Sequence, residues 1–182
     1  GFDHNIQTLR VVTLLEKKYY DYDGLNLSIE ALDGLIKHNG KITNTNKLNN
    51  ILGENFFKGK IQLKKQPSLE AQIASISDDI AYNSHDLEDG IKANLFKIEE
   101  LKDIVILNDI VVKNLKNKRK KDNQIIVRQI VREIINEMVE DIILNIKHNL
   151  KNNKINKLAD VYNSKNLIVF FSHKMRKFDM QI

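Results

Sequence analysis

Apolar residues recur every three or four positions over several stretches of the chain, and this spacing predicts amphipathic helices. The clearest stretch spans residues 70–90, EAQIASISDDIAYNSHDLEDG. Ser68 is placed to cap its start, and Gly90 is placed to end it, with a continuation of the helical pattern through Phe96 as the alternative. One side of this predicted helix is aliphatic, with Ile73, Ile76, Ile80, Leu87 and Ile91. The other side carries groups that can do chemistry, namely Asp78, Tyr82, His85, Asp86 and Asp89.

The same periodicity predicts a longer helix over residues 124–150, with a wide aliphatic face suited to burial against other helices or another subunit. Shorter helices are predicted from Asp3 or Asn5 to Lys18 and over residues 28–38, 98–102 and 103–115, with a last one starting at His173. The Asn-rich residues 41–67 are predicted to form a polar connector. Residues 166–172, NLIVFFS, are predicted to be a short strand or a buried extended segment. The predicted fold class is therefore all-α, with at most a short β-like segment near residues 166–172.

Composition narrows the class of protein. A length of 182 residues is that of one domain or part of one. The absence of cysteine excludes disulfides and thiolate metal sites and fits a reducing cytoplasm. The sequence contains no apolar run of about 18 residues, so no transmembrane helix is expected. The first residues lack the features of a signal peptide. The net charge of +5 arises largely from lysines in Asn/Lys-rich loops.

The acidic stripe of residues 78–89 has two interpretations, a solvated helix face or a functional site. Tyr82 favours a site, because a phenol ring prefers to be covered. Asp78 beside Asp79 also favours one, because adjacent carboxylates repel unless a cation or polar group compensates. Asp78 can supply one oxygen ligand to a hard divalent metal. The sequence motifs of phosphate-binding glycine loops, HExxH metalloproteases and GxSxG hydrolases are all absent.

Four segments together resemble one family. EAQIASISDDIAYNSHDLEDG closely resembles the signature of bacterial deoxyguanosine triphosphate triphosphohydrolase-like proteins of the HD-domain superfamily. GFDHNIQTLRVVTLLE resembles the segment that follows the catalytic core motif of that family, and YYDYDGLNLSIEALDGLIKHNG resembles its next block. NLIVFFSHKM is similar to a weaker block near the C-terminal part. The order and spacing of the first three blocks match, and the resemblance covers nearly the whole chain.

The resemblance implies a metal site of which this chain holds one ligand. The metal shell of the family consists of a His from one upstream helix, a His-Asp pair from another, and an Asp from the helix at residues 70–90. Asp78 takes this last role, because the family pattern places a Tyr four positions and an Asp eight positions later, as Tyr82 and Asp86 are. The other ligands would lie before Gly1, so the shell for Mg²⁺ or Mn²⁺ is expected to be incomplete. His85-Asp86 is accordingly not the metal-binding pair.

The resemblance also implies an activity, the hydrolysis of a dNTP to a deoxynucleoside and triphosphate, with the metal polarising the α-phosphate. Tyr82 would pack on the deoxyribose, and Asp86 would accept a hydrogen bond from its 3′-OH. His4 would act near the reaction centre as an acid/base or phosphate contact. Lys37 would contact phosphate, with an ordinary surface lysine as the alternative. Because its metal shell is incomplete, the chain alone is expected to have little or no activity.

Residues 1–182 are thus predicted to be the middle and C-terminal part of one HD-type triphosphohydrolase domain. The expected partners are the dNTP substrate, an upstream HD-containing segment and further copies in a homo-oligomer, and no membrane is expected. One alternative is a non-catalytic regulatory or oligomerisation subunit that joins a partner through residues 124–150. Another is a basic helical module that binds nucleic acid through Lys118, Arg119, Lys120 and Lys121, with a strong salt dependence.

Overall fold

The structure is a computed structural model that describes residues 4–43, 45–53, 61–116 and 123–180. Over these ranges the regular secondary structure is helical and contains no strand, which confirms the predicted all-α class. A π-helical turn spans Val11–Leu15 and a 3-10 helix spans Ile98–Asp103. The α-helices are α1 His4–Arg10, α2 Ile29–Ile36, α3 Asn46–Leu52, α4 Leu69–Lys92, α5 Val105–Lys116, α6 Asn123–Asn152, α7 Leu158–Asn163 and α8 His173–Asp179.

The chain divides into two compact units. The first unit comprises Gly1–Ser75 and Leu150–Ile168, and the second comprises Ile76–Asn149 and Val169–Ile182. Helices α4 and α6 therefore each contribute residues to both units.

The first unit is built around the packing of α1, α2 and α3. Ser28 caps α2, as predicted, by accepting a hydrogen bond from the Ala31 N–H at 3.3 Å. The turn before it needs Gly24, which has a φ of +73° and would place a Cβ 2.4 Å from the Val12 carbonyl oxygen. The buried residues that form the core of this unit are Leu9, Leu32, Ile36, Leu48 and Ile61.

Helix α3 lies where a polar connector was predicted, so that prediction is wrong for residues 46–52. Leu48 is buried in the core of the first unit, and this burial stabilises a helix whose asparagines have low helix propensity. A backbone hydrogen bond also joins the segments on either side of α3, since the Ile42 N–H donates to the Leu63 carbonyl at 2.8 Å. A tertiary contact, rather than local preference, therefore decides the conformation.

Helix α7 was not predicted, and two buried glutamines hold the segment that contains it. The backbone N–H of Gln66 donates to the carbonyl of Tyr162 at 3.1 Å, and its side chain donates to the carbonyl of Lys165 at 3.1 Å. Gln72 accepts a hydrogen bond from the Ile168 N–H at 2.8 Å. Residues 164–172 have irregular backbone with Ile168, Val169 and Phe171 buried, so no strand forms there.

The second unit is organised around α6, whose predicted bounds are confirmed within two residues. Its buried side includes Ile130, Ile134 and Met138. Glu133 joins it to α5 by accepting hydrogen bonds from Lys113 and Asn114. Asp141 joins it to the start of α8, since its carboxylate accepts a hydrogen bond of 2.8 Å from the Ser172 N–H. Thus α6 connects two other helices of this unit through its polar side chains.

The described helices include none that is both long enough and apolar enough to cross a membrane. The basic residues Lys118, Arg119, Lys120 and Lys121, on which the nucleic-acid alternative depends, lie outside the described residues.

Candidate functional site

Helix α4 carries three of the predicted site residues on one side. Ser68 accepts a hydrogen bond from the Ala71 N–H at 3.3 Å, as expected of a cap at this end. The helix then runs without interruption to Lys92. Because residues at i, i+4 and i+8 lie one above another on an α-helix, Asp78, Tyr82 and Asp86 form a single row. All three are exposed and belong to the second unit.

The buried side of α4 explains why this row faces outward in the second unit. Ile80, Ser84 and Leu87 are buried, and helical geometry places them on the side of α4 opposite the row of Asp78, Tyr82 and Asp86. Gly90 is also buried, because the Phe96 ring lies against it; a Cβ at residue 90 would be 2.5 Å from Phe96 Cε1. The Phe96 ring can therefore pack against α4 at residue 90 because glycine has no Cβ.

The predicted aliphatic side is not continuous, however. Ile73 belongs to the first unit and is 44% exposed, although it shares a helix face with Ile80. In the first unit α4 instead buries Ala71 and Gln72. The buried side of the helix therefore changes between its first turns and the rest, a change that helical periodicity alone does not predict.

Tyr82 is 69% exposed, so the described residues leave most of its side chain uncovered. Asp78 and Asp86, four positions before and after Tyr82 on the helix, are also exposed. An apolar ring flanked by hydrogen-bond acceptors suits a ligand with both a ring-like apolar surface and hydroxyl groups.

The far end of the acidic stripe is neutralised within the helix. Lys92 Nζ lies 2.9 Å from Glu88 Oε1 and 3.4 Å from Asp89 Oδ1. The hydrogen bond to Glu88 is the main cause that raises the pKa of Lys92 above its ordinary value. Asp89 therefore pairs with Lys92 within the helix, and it is not counted among the candidate site residues Asp78, Tyr82 and Asp86.

A complete metal shell is not present in the part of the chain that the structure describes. No group of three or more His, Asp or Glu side chains in those ranges could hold a metal ion. Asp78 has the chemistry of one ligand, a carboxylate oxygen exposed on a helix, which suits Mg²⁺ or Mn²⁺. One carboxylate does not fix a divalent ion, so the described residues fit the implied metal only in part.

His4 and Lys37 lie in the other unit. His4 is exposed at the first residue of α1. Lys37 directly follows α2 and is 1% exposed, with its ammonium nitrogen 2.6 Å from Asp33 Oδ1. The structure thus brings Asp78, Tyr82 and Asp86 together on one helix face in the second unit, and His4 and Lys37 belong to the first unit.

Two residues that contact the Lys37 ammonium group, Asp33 and Tyr162, were not predicted from the sequence. Asp33 lies four positions before Lys37, a spacing that places oppositely charged side chains together on a helix and could have been noticed. Tyr162 stacks its ring against the ammonium group at 5.4 Å from the ring centroid. No local pattern could have revealed this contact, because Tyr162 is distant in sequence.

A cavity of about 420 Å³ lies near the C-terminal end of α4, within the second unit. Its lining includes Glu88, Lys92 and Phe96 from the end of α4 and the following turn, and Gln124 and Val127 from α6. None of the predicted site residues lines this cavity. The exposed side chain of Tyr82, which does not line this cavity, is therefore the feature that marks the candidate site on α4.

Comparison with known proteins identifies relatives of the chain. No protein-family model matches it. A deoxyguanosinetriphosphate triphosphohydrolase-like protein of Pelagibacter ubique is 48% identical to this chain over all 182 residues. The match covers 49% of the length of that relative.

Proteins with the same name from a Caulobacter species and from Agrobacterium fabrum are 47% and 41% identical over 119 and 142 residues. These matches cover 61% and 71% of this chain, and 29% and 35% of those relatives. The chain thus spans at most about half the length of these curated relatives. Over its whole length, the chain is identified as a relative of the deoxyguanosinetriphosphate triphosphohydrolase-like proteins.

Proposed function

We propose that the chain forms the deoxyribose-binding part of a dNTP triphosphohydrolase of the HD-domain type, which releases a deoxynucleoside and triphosphate. The observation that carries the proposal is the exposed row of Asp78, Tyr82 and Asp86 on α4. The name of the relatives, which refers to deoxyguanosine triphosphate, supports the same substrate class. No base preference is proposed, because the row contains no group placed to distinguish bases.

Each residue of the row has a proposed role. The exposed side chain of Tyr82 packs against the deoxyribose and leaves no room for a 2′-OH. The Asp86 carboxylate, one turn further, accepts a hydrogen bond from the 3′-OH. Asp78, one turn earlier, supplies one ligand to Mg²⁺ or Mn²⁺. Bound metal would supply electrophilic assistance at the phosphate, and the remaining ligands would come from outside this chain.

His4 and Lys37 are proposed to act on the phosphate side of the substrate. The exposed imidazole of His4 can exchange a proton or donate to a phosphate oxygen. Lys37 can contact phosphate only after its ammonium group leaves Asp33, because that group is buried in an ion pair. With one metal ligand of its own, the chain by itself is expected to be weakly active or inactive.

The deciding experiment measures triphosphate release from each of the four dNTPs with Mn²⁺ or Mg²⁺. The 182-residue chain is assayed alone and as a chimera joined to the remaining half of the Pelagibacter ubique relative. The chimera is expected to hydrolyse dNTPs, and Asp78→Asn to lower its rate at least 100-fold. Asp86→Asn and Tyr82→Ala are expected to raise KM for dNTPs more than they change kcat. Asp89→Asn removes an exposed carboxylate from the same helix and serves as the control, with activity close to that of the parent.

A folded, inactive chimera would contradict the proposal, and so would equal losses from Asp78→Asn and Asp89→Asn. Hydrolysis of ribonucleoside triphosphates at the same kcat/KM would contradict the role of Tyr82. These outcomes separate a catalytic row from a merely solvated acidic face.

A second candidate function is that of a regulatory or oligomerisation subunit. It is favoured by exposed apolar side chains on α6, among them Val139, Ile143 and Leu144. Such a subunit would associate with a partner in the absence of metal and nucleotide. Analytical ultracentrifugation of the chain, with and without Mn²⁺ and dGTP, distinguishes this association from ligand-dependent assembly.

A further inference from the structure

Lys37 is the most deeply buried cation that the structure describes, with 1% of its surface exposed. Removing an ammonium group from water is costly unless an opposite charge and a polarisable group replace the lost hydration. Asp33 supplies the charge, with its Oδ1 at 2.6 Å from Nζ. The two residues are one helical turn apart at the end of α2, so the pair forms within a single element.

The second partner of Lys37 is the ring of Tyr162. The ammonium nitrogen lies 5.4 Å from the ring centroid, within the range of a cation–π contact. Burial is the main cause that raises the pKa of Tyr162, and Asp33, Glu30 and Glu70 raise it further. The phenol therefore stays neutral at physiological pH and offers the ammonium group a ring face without a competing negative charge.

Hydrogen bonds hold the backbone at Tyr162 and the side chain of the next residue. The Tyr162 carbonyl accepts the hydrogen bond from the N–H of Gln66, a residue that is itself buried. Lys65 forms a further hydrogen bond to Asn163, the next residue. Tyr162 is thus attached to the chain just before α4, so that its ring closes over Lys37 from outside α2.

Asp33 depends on Lys37 in turn. Neither of its carboxylate oxygens accepts a well-formed hydrogen bond in the described part of the chain, and both oxygens are buried. The ion contact with Lys37 is therefore the compensation that the structure gives to this negative charge. Each member of the pair would be left as an uncompensated buried charge if the other were removed.

We propose that Asp33 and Tyr162 sequester the Lys37 ammonium group, so that an anionic ligand reaches Lys37 only by displacing the Asp33 carboxylate. The identity of that ligand as the triphosphate part of a dNTP rests on the proposed function. The sequestration itself does not rest on it. Asp33 is in this sense an internal competitor of phosphate for one cation.

The first test measures how fast individual lysines of the 182-residue chain are acylated by an amine-specific ester, with mass spectrometry of peptides. Lys37 is expected to react at least tenfold more slowly than Lys41, an exposed lysine four residues later. Asp33→Asn is expected to bring the two rates together. Tyr162→Phe keeps the ring and is expected to preserve the protection, whereas Tyr162→Leu is expected to weaken it.

Equal rates for Lys37 and Lys41 in the unmodified chain would overturn the proposal. This comparison needs no variant, so it holds even where Asp33→Asn fails to fold. Protection that persists in a folded Asp33→Asn variant would also overturn it. Neither result depends on dNTP hydrolysis, so failure of the proposed function would leave the acylation pattern unchanged.

The second test measures the affinity for inorganic tripolyphosphate by calorimetry. Asp33→Asn is expected to bind it about tenfold more tightly than the unmodified chain, and the added change Lys37→Gln is expected to abolish this gain. Asp21→Asn, which removes an exposed carboxylate of the same unit, controls for the altered net charge. Unchanged or weaker binding by folded Asp33→Asn would overturn the proposed competition and assign the pair a structural role alone.

Discussion

Asn83 and Asp179 are joined by a hydrogen bond of 2.7 Å, in which the Asn83 amide donates to the Asp179 carboxylate. Asn83 follows Tyr82 on α4, and Asp179 is the last residue of α8. The bond therefore ties the helix that carries the candidate site to another helix of the second unit. It also helps to fix the rotation of α4 about its axis, on which the outward direction of Tyr82 depends.

Asn83→Ala is expected to lower the free energy of unfolding by about 1.5 kcal/mol, because a partly buried hydrogen bond to a charged group is lost. Urea denaturation measures the change. His85→Ala is the matched control, since it lies on the same helix, is exposed, and makes a similar gain in helix propensity. Equal stability of the two variants would contradict the role given to the bond between Asn83 and Asp179.

Gln72 bridges two segments of the first unit, and its replacement by Met tests this bridge. Its amide donates to the Pro67 carbonyl at 2.9 Å and accepts from the Ile168 N–H at 2.8 Å. Gln72→Met leaves both buried backbone groups without these partners, so we expect a loss of about 3 kcal/mol in unfolding free energy. Hydrogen exchange of the Ile168 amide is expected to become faster.

Gln62→Met provides the control for the Gln72 substitution, because Gln62 is an exposed glutamine of the same unit. It is expected to change stability by no more than about 0.5 kcal/mol. If Gln72→Met left the exchange of Ile168 unaltered, the bridge would not hold residues 164–168 in place.

The sequence predicts best the helices in which apolar residues recur at the helical period. α6 has an aliphatic residue at nearly every position that the helical period requires, and so its existence and bounds follow from the pattern. α2 is shorter, but Ser28 marks its start with a capping side chain. The row of Asp78, Tyr82 and Asp86 follows equally from spacing, since α4 is continuous through it.

The elements that the sequence does not predict depend on contacts between distant residues. α3 is helical because Leu48 enters a core formed by other helices. Gln66 contacts α7 at Tyr162, and Gln72 holds Ile168 in the segment that follows α7. The burial of Lys37 is of the same kind, because Tyr162 covers it from a distant segment. Local propensity and periodicity contain no information about such pairs. For this reason the sequence left an exposed position for Lys37 open as an alternative to a phosphate contact.

Glu133 is expected to make stability depend on pH in acid. The hydrogen bond from Gln129 is the largest cause that lowers the pKa of Glu133, followed among the favourable contacts by those from Asn114 and Lys113. A carboxyl group with a lowered pKa in the folded state stabilises the fold fully above the ordinary glutamate pKa of about 4.3. This contribution is lost as the pH falls through the lowered value.

Urea denaturation between about pH 6 and pH 3 measures this dependence. The stability difference between the unmodified chain and Glu133→Gln is expected to shrink as the pH falls below about 4.3. Glu137→Gln, an exposed glutamate on the same helix, is the control. A difference that stays constant over the whole range would show that Glu133 does not contribute through its charge.

The orientation of α6 is tested by two isoleucines of the same helix. Ile134 is 1% exposed and Ile143 is 46% exposed. Ile134→Ala leaves a cavity in the core, so we expect a loss of about 3 kcal/mol in unfolding free energy. Ile143→Ala gains the same helix propensity and is expected to stay within about 0.5 kcal/mol of the unmodified chain.

Both variants are compared by urea denaturation at two protein concentrations tenfold apart. A large, concentration-dependent loss for Ile143→Ala would mean that this face of α6 is covered by another molecule in solution. That result would favour the regulatory or oligomerisation subunit over the catalytic part proposed above. Loss confined to Ile134→Ala, and independent of concentration, would leave the exposed face of α6 in contact with water and the catalytic proposal as the better explanation of the chain.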